Sequence, residues 1–353
     1  MDTNTSRRRF LGTAAGLTGA ALATGAWRQS PEGATGNAAG GGGRTFSAGG
    51  AELQLGTMNM GALRSVEGGW VSAKVMNRAE AGLYYFKKEL AEATYDDVVL
   101  EIGLSMKSDV YAWINDTWTG KLARKDGAIV LADFNGTVQQ QRDFTDAVVT
   151  ETTIPACDAS SKEPGFLTVK FAAETVRNAK GSGKLAGGVN PPKGFTTSNF
   201  RFVIDGLDAS KVVRVDAFKV TNSVPVQTVG QLKEPEFRPR LGFGEIALTI
   251  PAASASGWEK WADDFIVKGN NDDADEKSAM LGLFAADMKT YLAHVDFFNV
   301  GIFRYDDAPV GTADGTKHVI AHLYCERAEF HLGAPSTGGG ICPTNPCILP
   351  AGV

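Results

Sequence analysis

Apolar and polar positions alternate along several stretches of the chain, and a period of two predicts strands. Residues 52–75 and 199–220 read as strand pairs. In the second, Phe200-Arg201-Phe202-Val203-Ile204 turns through Asp205-Gly206 into 212–220, which predicts a hairpin. Residues 97–104 and 245–250 alternate in the same way, and after each the period lengthens to three and four. Val110, Trp113, Ile114 and Trp118 then share one helical stripe behind Ser108, and Trp258, Trp261, Phe265 and Ile266 share another behind Ser256. The two Ser are the expected N-caps, because a hydroxyl accepts from the free N–H groups of a first turn. Both helices are expected to dock on sheets, since burying each large ring contributes about 2 to 3 kcal/mol.

Strands resume beyond each helix. Residues 128–132 and 139–149 flank Phe134-Asn135-Gly136, whose Asn-Gly pair predicts a tight hairpin. Residues 280–285 and 291–305 follow the second helix, where Asp296-Phe297-Phe298-Asn299-Val300 answers Asp143-Phe144-Thr145-Asp146-Ala147. Residues 165–176 and 318–330 supply the last strands. The whole order recurs at a period of about 150 residues, which predicts a duplication. The expected class is mainly β with one flanking helix per domain. The expected domains are 51–177 and 199–333, with 178–198 a Gly, Lys and Pro linker and 334–353 a Gly, Pro and Cys tail.

That order of elements resembles the tail-tube proteins of contractile phages and the related Hcp ring protein of type VI secretion. The likeness is strongest over 95–176. Tyr95-Asp96-Asp97-Val98-Val99-Leu100-Glu101 is similar to the family's strand before its helix, and Asp109-Val110-Tyr111-Ala112-Trp113-Ile114 to the helix. Arg124-Lys125-Asp126-Gly127-Ala128-Ile129-Val130-Leu131 resembles the start of its hairpin. The resemblance implies two tandem tail-tube-like β-barrel or sandwich domains in a non-enzymatic structural protein that assembles with itself. Six equivalent domains make a ring in that family, so a chain carrying two implies a trimer with pseudo-sixfold symmetry. Leu83, Tyr84, Tyr85 and Phe86, with Phe237 and Leu241, are the expected interface groups.

The N-terminus changes where such an assembly is expected. Arg7, Arg8, Phe10 and Leu11 precede a run of Ala, Gly, Thr and Leu to Ala26, which reads as a twin-arginine signal peptide cleaved after Ala23 or Ala26. Too few large apolar residues are present for a membrane anchor. Export to the periplasm or the extracellular space is the expectation, with 27–50 a Gly-rich leader. Losing residues 1–26 removes three Arg and one Asp and takes the formal charge from −5 to −7. That acidic balance offers no basic face for nucleic acid.

Candidate chemistry is sparse. At 181–185 a phosphate-loop likeness fails because Asn178 stands for its first Gly and Leu185 for its Ser or Thr. The Gly242-Phe243-Gly244 stretch runs into a strand where a dinucleotide turn needs a helix. The acidic run from Asp272 to Glu276 lacks the Gly and Glu of a calcium loop and reads as a solvated tip. His318 and His322 on a strand stand about 13 Å apart, too far to share a zinc ion. No catalytic, cofactor-binding or metal-binding residue is therefore nominated. Cys342 and Cys347 across a Pro-rich loop are disulfide candidates, although four Cys allow three pairings. The competing expectation is an exported monomer that binds a ligand or acts as an enzyme, through His318, His322 and the loop around Asp273.

Overall fold

A computed structural model describes residues 49–82, 84–189, 192–223, 240–308 and 317–335. The chain begins with β1 (Gly50–Leu55) and β2 (Met58–Gly68), then a hairpin arm of β3 (Val71–Arg78) and β4 (Lys87–Tyr95). It continues through β5 (Val98–Ile102), α1 (Ser108–Trp118), β6 (Lys125–Ala132) and the long β7 (Val138–Ile154). Short β8 (Cys157–Asp158) and β9 (Pro164–Gly165) precede β10 (Leu167–Ala172), β11 (Thr175–Lys180) and β12 (Phe195–Thr196). Next come β13 (Phe200–Ile204), β14 (Arg214–Val215), β15 (Phe218–Ser223), β16 (Arg240–Phe243) and β17 (Ile246–Pro251). The chain then forms α2 (Ser256–Ala262), β18 (Lys277–Phe284), β19 (Tyr291–Asp307) and β20 (His318–Leu332).

The protein is mainly β, as its alternation predicts. In the first sheet β1, β2, β5, β10, β7 and β6 pair in that order, and β6 returns to β1, so six antiparallel strands close a barrel. In the second sheet β13, β18, β19, β20, β17, β14 and β8 pair in a row that does not close. Each sheet thus places the strand before its helix beside its last strand, and its first strand beside the one after the helix. Among the described residues they differ in closure: β1 pairs both neighbours, whereas β13 pairs β18 alone.

The expected hairpin between 200–204 and 212–220 does not form, and its return segment divides instead. β14 joins β17, then the chain crosses at Asp216 and β15 pairs with β7 of the barrel. The division follows side-chain burial. Val215 packs within the second sheet, while Phe218 stacks edge-on between Trp118 of α1 and Phe297 of β19, at 6.0 and 5.0 Å. Phe218 is 1% exposed, and one hydrophobic core runs through both sheets.

The helical stripes dock as their spacing predicts, with two corrections. Lys107 and Ala255 occupy the N-cap positions, and Ser108 and Ser256 are already the first helical residues, so neither hydroxyl caps. Ile266 is exposed although Trp258, Trp261 and Phe265 are buried. A π turn over Asp263–Val267 follows α2, and its extra residue per turn rotates Ile266 off the buried face. The Asn135-Gly136 turn forms as expected: Gly136 has φ +74°, and Asp133 Oδ1 accepts from the N–H groups of Asn135 and Thr137.

Candidate functional site

Each long strand carries a residue in the left-handed region near its middle, Asp146 at φ 49° on β7 and Asn299 at φ 54° on β19. Short polar side chains tolerate that conformation, which suits a β-bulge. Both residues lie where the register with the preceding strand shifts, between Lys125 and Gly127 on β6 and between Lys277 and Ala279 on β18. Past the bulge the strand leaves that partner. Its pairing ends at Ala147 in the barrel and at Val300 in the second sheet.

The edge freed on β7 is occupied. Ile154 faces Phe218, Thr153 faces Lys219, Thr152 faces Val220 and Glu151 faces Thr221, and Lys219 Nζ pairs with Glu151 Oε1 at 3.1 Å. Cys157 opposite Val215 extends this join into the second sheet. Helix α1 reinforces it, since the Asn115 side-chain carbonyl accepts from Phe330 N–H at 3.2 Å and Tyr111 stacks on the Phe330 ring. The corresponding edge of β19, Ile302 to Asp307, pairs with β20 on one side and has no strand on the other among the described residues. Phe303 is 46% exposed there.

A second open element is the β3–β4 arm. It leaves the barrel between β2 and β5, as the β15–β16 hairpin leaves between β14 and β17. Gly68 and Gly69, both at positive φ, turn the chain into it, and a Cβ at Gly68 would meet Asp97 O at 1.9 Å. Its base is fixed by buried Arg142, which donates to Gly68 O at 2.6 Å and lies over the Trp70 ring. Beyond the base, Val71, Val75, Met76 and Leu90 are exposed, and the arm pairs only with itself. Tyr84 at 99% exposure, Tyr85 and Phe86 form its tip. Leu241 lies half-buried on β16 opposite Asn222. Leu83, Phe237, Cys342, Cys347, Arg7, Arg8, Phe10 and Leu11 lie outside the described residues.

The histidines sort into different settings. His318 is buried at the start of β20. His322 stands between carboxylates, with Nδ1 3.0 Å from Glu245 and Nε2 3.3 Å from Asp306. His294 and His331 face each other across β19 and β20, beside the facing pair Asp296 and Glu329. Burial alone would depress the His294 pKa, but hydrogen bonds to Asp296 and to the Gly333 carbonyl outweigh it and hold the pKa above its ordinary value. Sequence reading missed this quartet, although His294-x-Asp296 and Glu329-x-His331 have the period of two that puts each pair on one strand face.

Cys157 and Cys325 are free and buried, and burial pushes both thiols up to about 12. A thiol with so high a pKa stays neutral and unreactive near pH 8. Peptide mapping after iodoacetamide treatment at that pH should find both unmodified in the native protein and alkylated after denaturation. Modification of the native protein at either position would contradict their burial.

Among the described residues no helix is long and apolar enough to cross a membrane. Three solved structures are similar to a part of this chain. The anti-feeding prophage tube-terminating cap is 19% identical over 39% of this chain and 93% of its own, with a TM-score of 0.35. The sheath/tube terminator of the PVC extracellular contractile injection system is 21% identical over 36% and 92%, with a TM-score of 0.33. Hcp1 from Flavobacterium johnsoniae is 15% identical over 38% and 98%, with a TM-score of 0.25. No curated protein matches the chain. Residues 52–177, which contain the closed barrel, match the family described as T4-like virus tail tube protein gp19, the family type that the sequence of this segment resembles.

Proposed function

We propose that the mature chain is a non-enzymatic structural protein of the tail-tube type, built from a duplicated unit, and that three copies close into a ring with pseudo-sixfold symmetry. The observation that carries this reading is one strand edge used in two ways. On β7 it receives β15 from the same chain; on β19 it is open, and the exposed arm holds the place in the first unit that β15 and β16 hold in the second. The arm of one copy supplies β3 to the open edge of the next, repeating between chains the join made within one. Exposed edges favour such pairing, and a closed ring satisfies all of them. The common pairing order and the bulges at Asp146 and Asn299 support the duplication. The family match over 52–177 supports the type of assembly.

Native mass spectrometry and electron microscopy of the mature protein at micromolar concentration test this. The expected result is three chains in a closed ring. A strictly monomeric species without rings or filaments would overturn it in favour of the monomeric ligand-binding or enzymatic reading. In the proposed setting the ring forms outside the cytoplasm after twin-arginine export. Replacing Arg7 and Arg8 together by Lys is expected to leave unprocessed protein in the cytoplasm, and mature protein outside at normal levels would count against that route.

A further inference from the structure

We propose that His294, Asp296, Glu329 and His331 form a binding site for one divalent transition-metal ion of the Zn²⁺ class. Their positions follow from the sheet. β19 and β20 are antiparallel with His294 opposite His331 and Asp296 opposite Glu329, so four ligand side chains converge on one face. Asp296 Oδ2 lies 3.5 Å from His294 Nε2 and 3.8 Å from His331 Nε2, and the latter lies 3.3 Å from Glu329 Oε2. One atom each from His294, Asp296 and His331 fits within 4.8 Å. Ligand atoms around a tetrahedral ion with bonds of 2.0–2.1 Å stand about 3.3 Å apart, so the cluster must contract by up to about 1.5 Å when it takes the ion.

Two further observations point to a cation. First, His294 Nδ1 is 2.9 Å from the Gly333 carbonyl, which can only accept, so Nδ1 carries the hydrogen. Nε2 then faces the Asp296 carboxylate, which also only accepts, so that nitrogen needs either a second proton or a metal ion between the two groups. A carbonyl that accepts from one ring nitrogen and so turns the other toward the ion is the usual arrangement of a metal-ligating His. Second, Asp296 is 4% exposed, and among the described residues no Lys or Arg nitrogen lies within ion-pair distance of it. Glu329 is directly opposite, and like charges in that position destabilise a strand pair. Arg327 approaches only the other oxygen of Glu329, at 3.5 Å. In the barrel the residue opposite Asp143 is Arg177, so the equivalent carboxylate there faces a cation built into the chain. In the second sheet the groups beside the carboxylate are His294 and His331, whose imidazoles can take either a proton or a metal ion from solution.

Two imidazoles with two carboxylates suit Zn²⁺ and its neighbours, whereas Ca²⁺ needs six or more oxygens. The site stands apart from the arm and the open β19 edge, so its test is independent of ring formation. The mature full chain, stripped with a chelator, would be titrated with ZnCl₂ by calorimetry and with Co²⁺ by visible absorption. Saturation at one ion per chain and a tetrahedral Co²⁺ spectrum are expected. Asp296→Asn, which removes a charged ligand, should weaken Zn²⁺ binding by at least the roughly 10- to 100-fold that loss of a group supporting a ligand costs. His331→Ala with Glu329→Gln, both on the more exposed side, should abolish it without altering the melting temperature of the metal-free protein. His322→Gln should bind as the wild type does. Absence of saturable binding by the wild type overturns the proposal. So does undiminished binding by the double variant, which would place the ion elsewhere, for example on Cys342 and Cys347.

Discussion

A chain in which residues 71–95 are replaced by Asn-Gly is expected to run as a folded monomer under conditions where the unaltered chain forms a three-copy ring. The shortcut is sterically available, because Asp96 N–H donates to the Trp70 carbonyl at 2.9 Å and Gly69 N–H to the Asp96 carbonyl at 3.2 Å. The two ends of the arm are therefore already a turn's width apart, and Asn-Gly is the preferred two-residue connection. Little internal stability should be lost. The arm residues are exposed or half-buried, whereas Val98, Leu100 and Ile102 of the following strand, which line the core, are retained. The loss falls on association. Val71, Val75, Met76 and the tip aromatics each contribute about 1.5–3 kcal/mol if fully covered by a neighbour, in addition to the backbone ladder. Native mass and a melting curve measured together decide the matter: a trimer that survives removal of the arm would show that copies join through another surface.

Trp118→Ala is expected to destabilise the chain by about 3–5 kcal/mol, the range for deleting a large buried aromatic side chain. Trp118 is 1% exposed and stands edge-on to both Phe218 and Phe330, so it fills the space between α1, the crossing strand β15 and the second sheet. Its Nε1 has no hydrogen-bond partner, unlike that of Trp113, which donates to the Ala123 carbonyl at 2.8 Å. Phe at position 118 therefore removes an unsatisfied donor along with some volume, and Trp118→Phe should recover most of the loss. Trp113→Phe leaves the Ala123 carbonyl without that donor and should cost more. Urea unfolding of the four proteins measures this order. A loss below about 1 kcal/mol for Trp118→Ala would mean that the two sheets do not depend on the packing at Trp118.

Much of the fold and part of the candidate site were legible in residue order. Alternation marked the strands that line the core, such as Val98-Val99-Leu100, because a pleated strand sends successive side chains to opposite faces. The spacing of Val110, Trp113, Ile114 and Trp118 marked a helix and its buried face, and Asn135-Gly136 marked a turn, because each is governed by local backbone geometry. Tyr84, Tyr85 and Phe86 were recognisable as apolar groups in a connection, and the structure places them at the tip of the arm. Pattern could not choose neighbours. The backbone donors and acceptors that pair β15 with β7, and not with β13, are nearly the same for every residue type, so the choice rested on where Phe218 could be buried between Trp118 and Phe297. The first sheet closes without β15, whereas in the second the chain leaves after the two residues of β14 and β14 does not reach β13. The quartet of His294, Asp296, Glu329 and His331 likewise needed the register of β19 against β20, for a shift of one residue would send one pair to the opposite face. The sequence by itself determined which residues face inward and where the chain turns, through interactions a few residues long. Only the tertiary structure decided which edges are satisfied within the chain and which are left open, because that depends on packing between residues far apart in sequence.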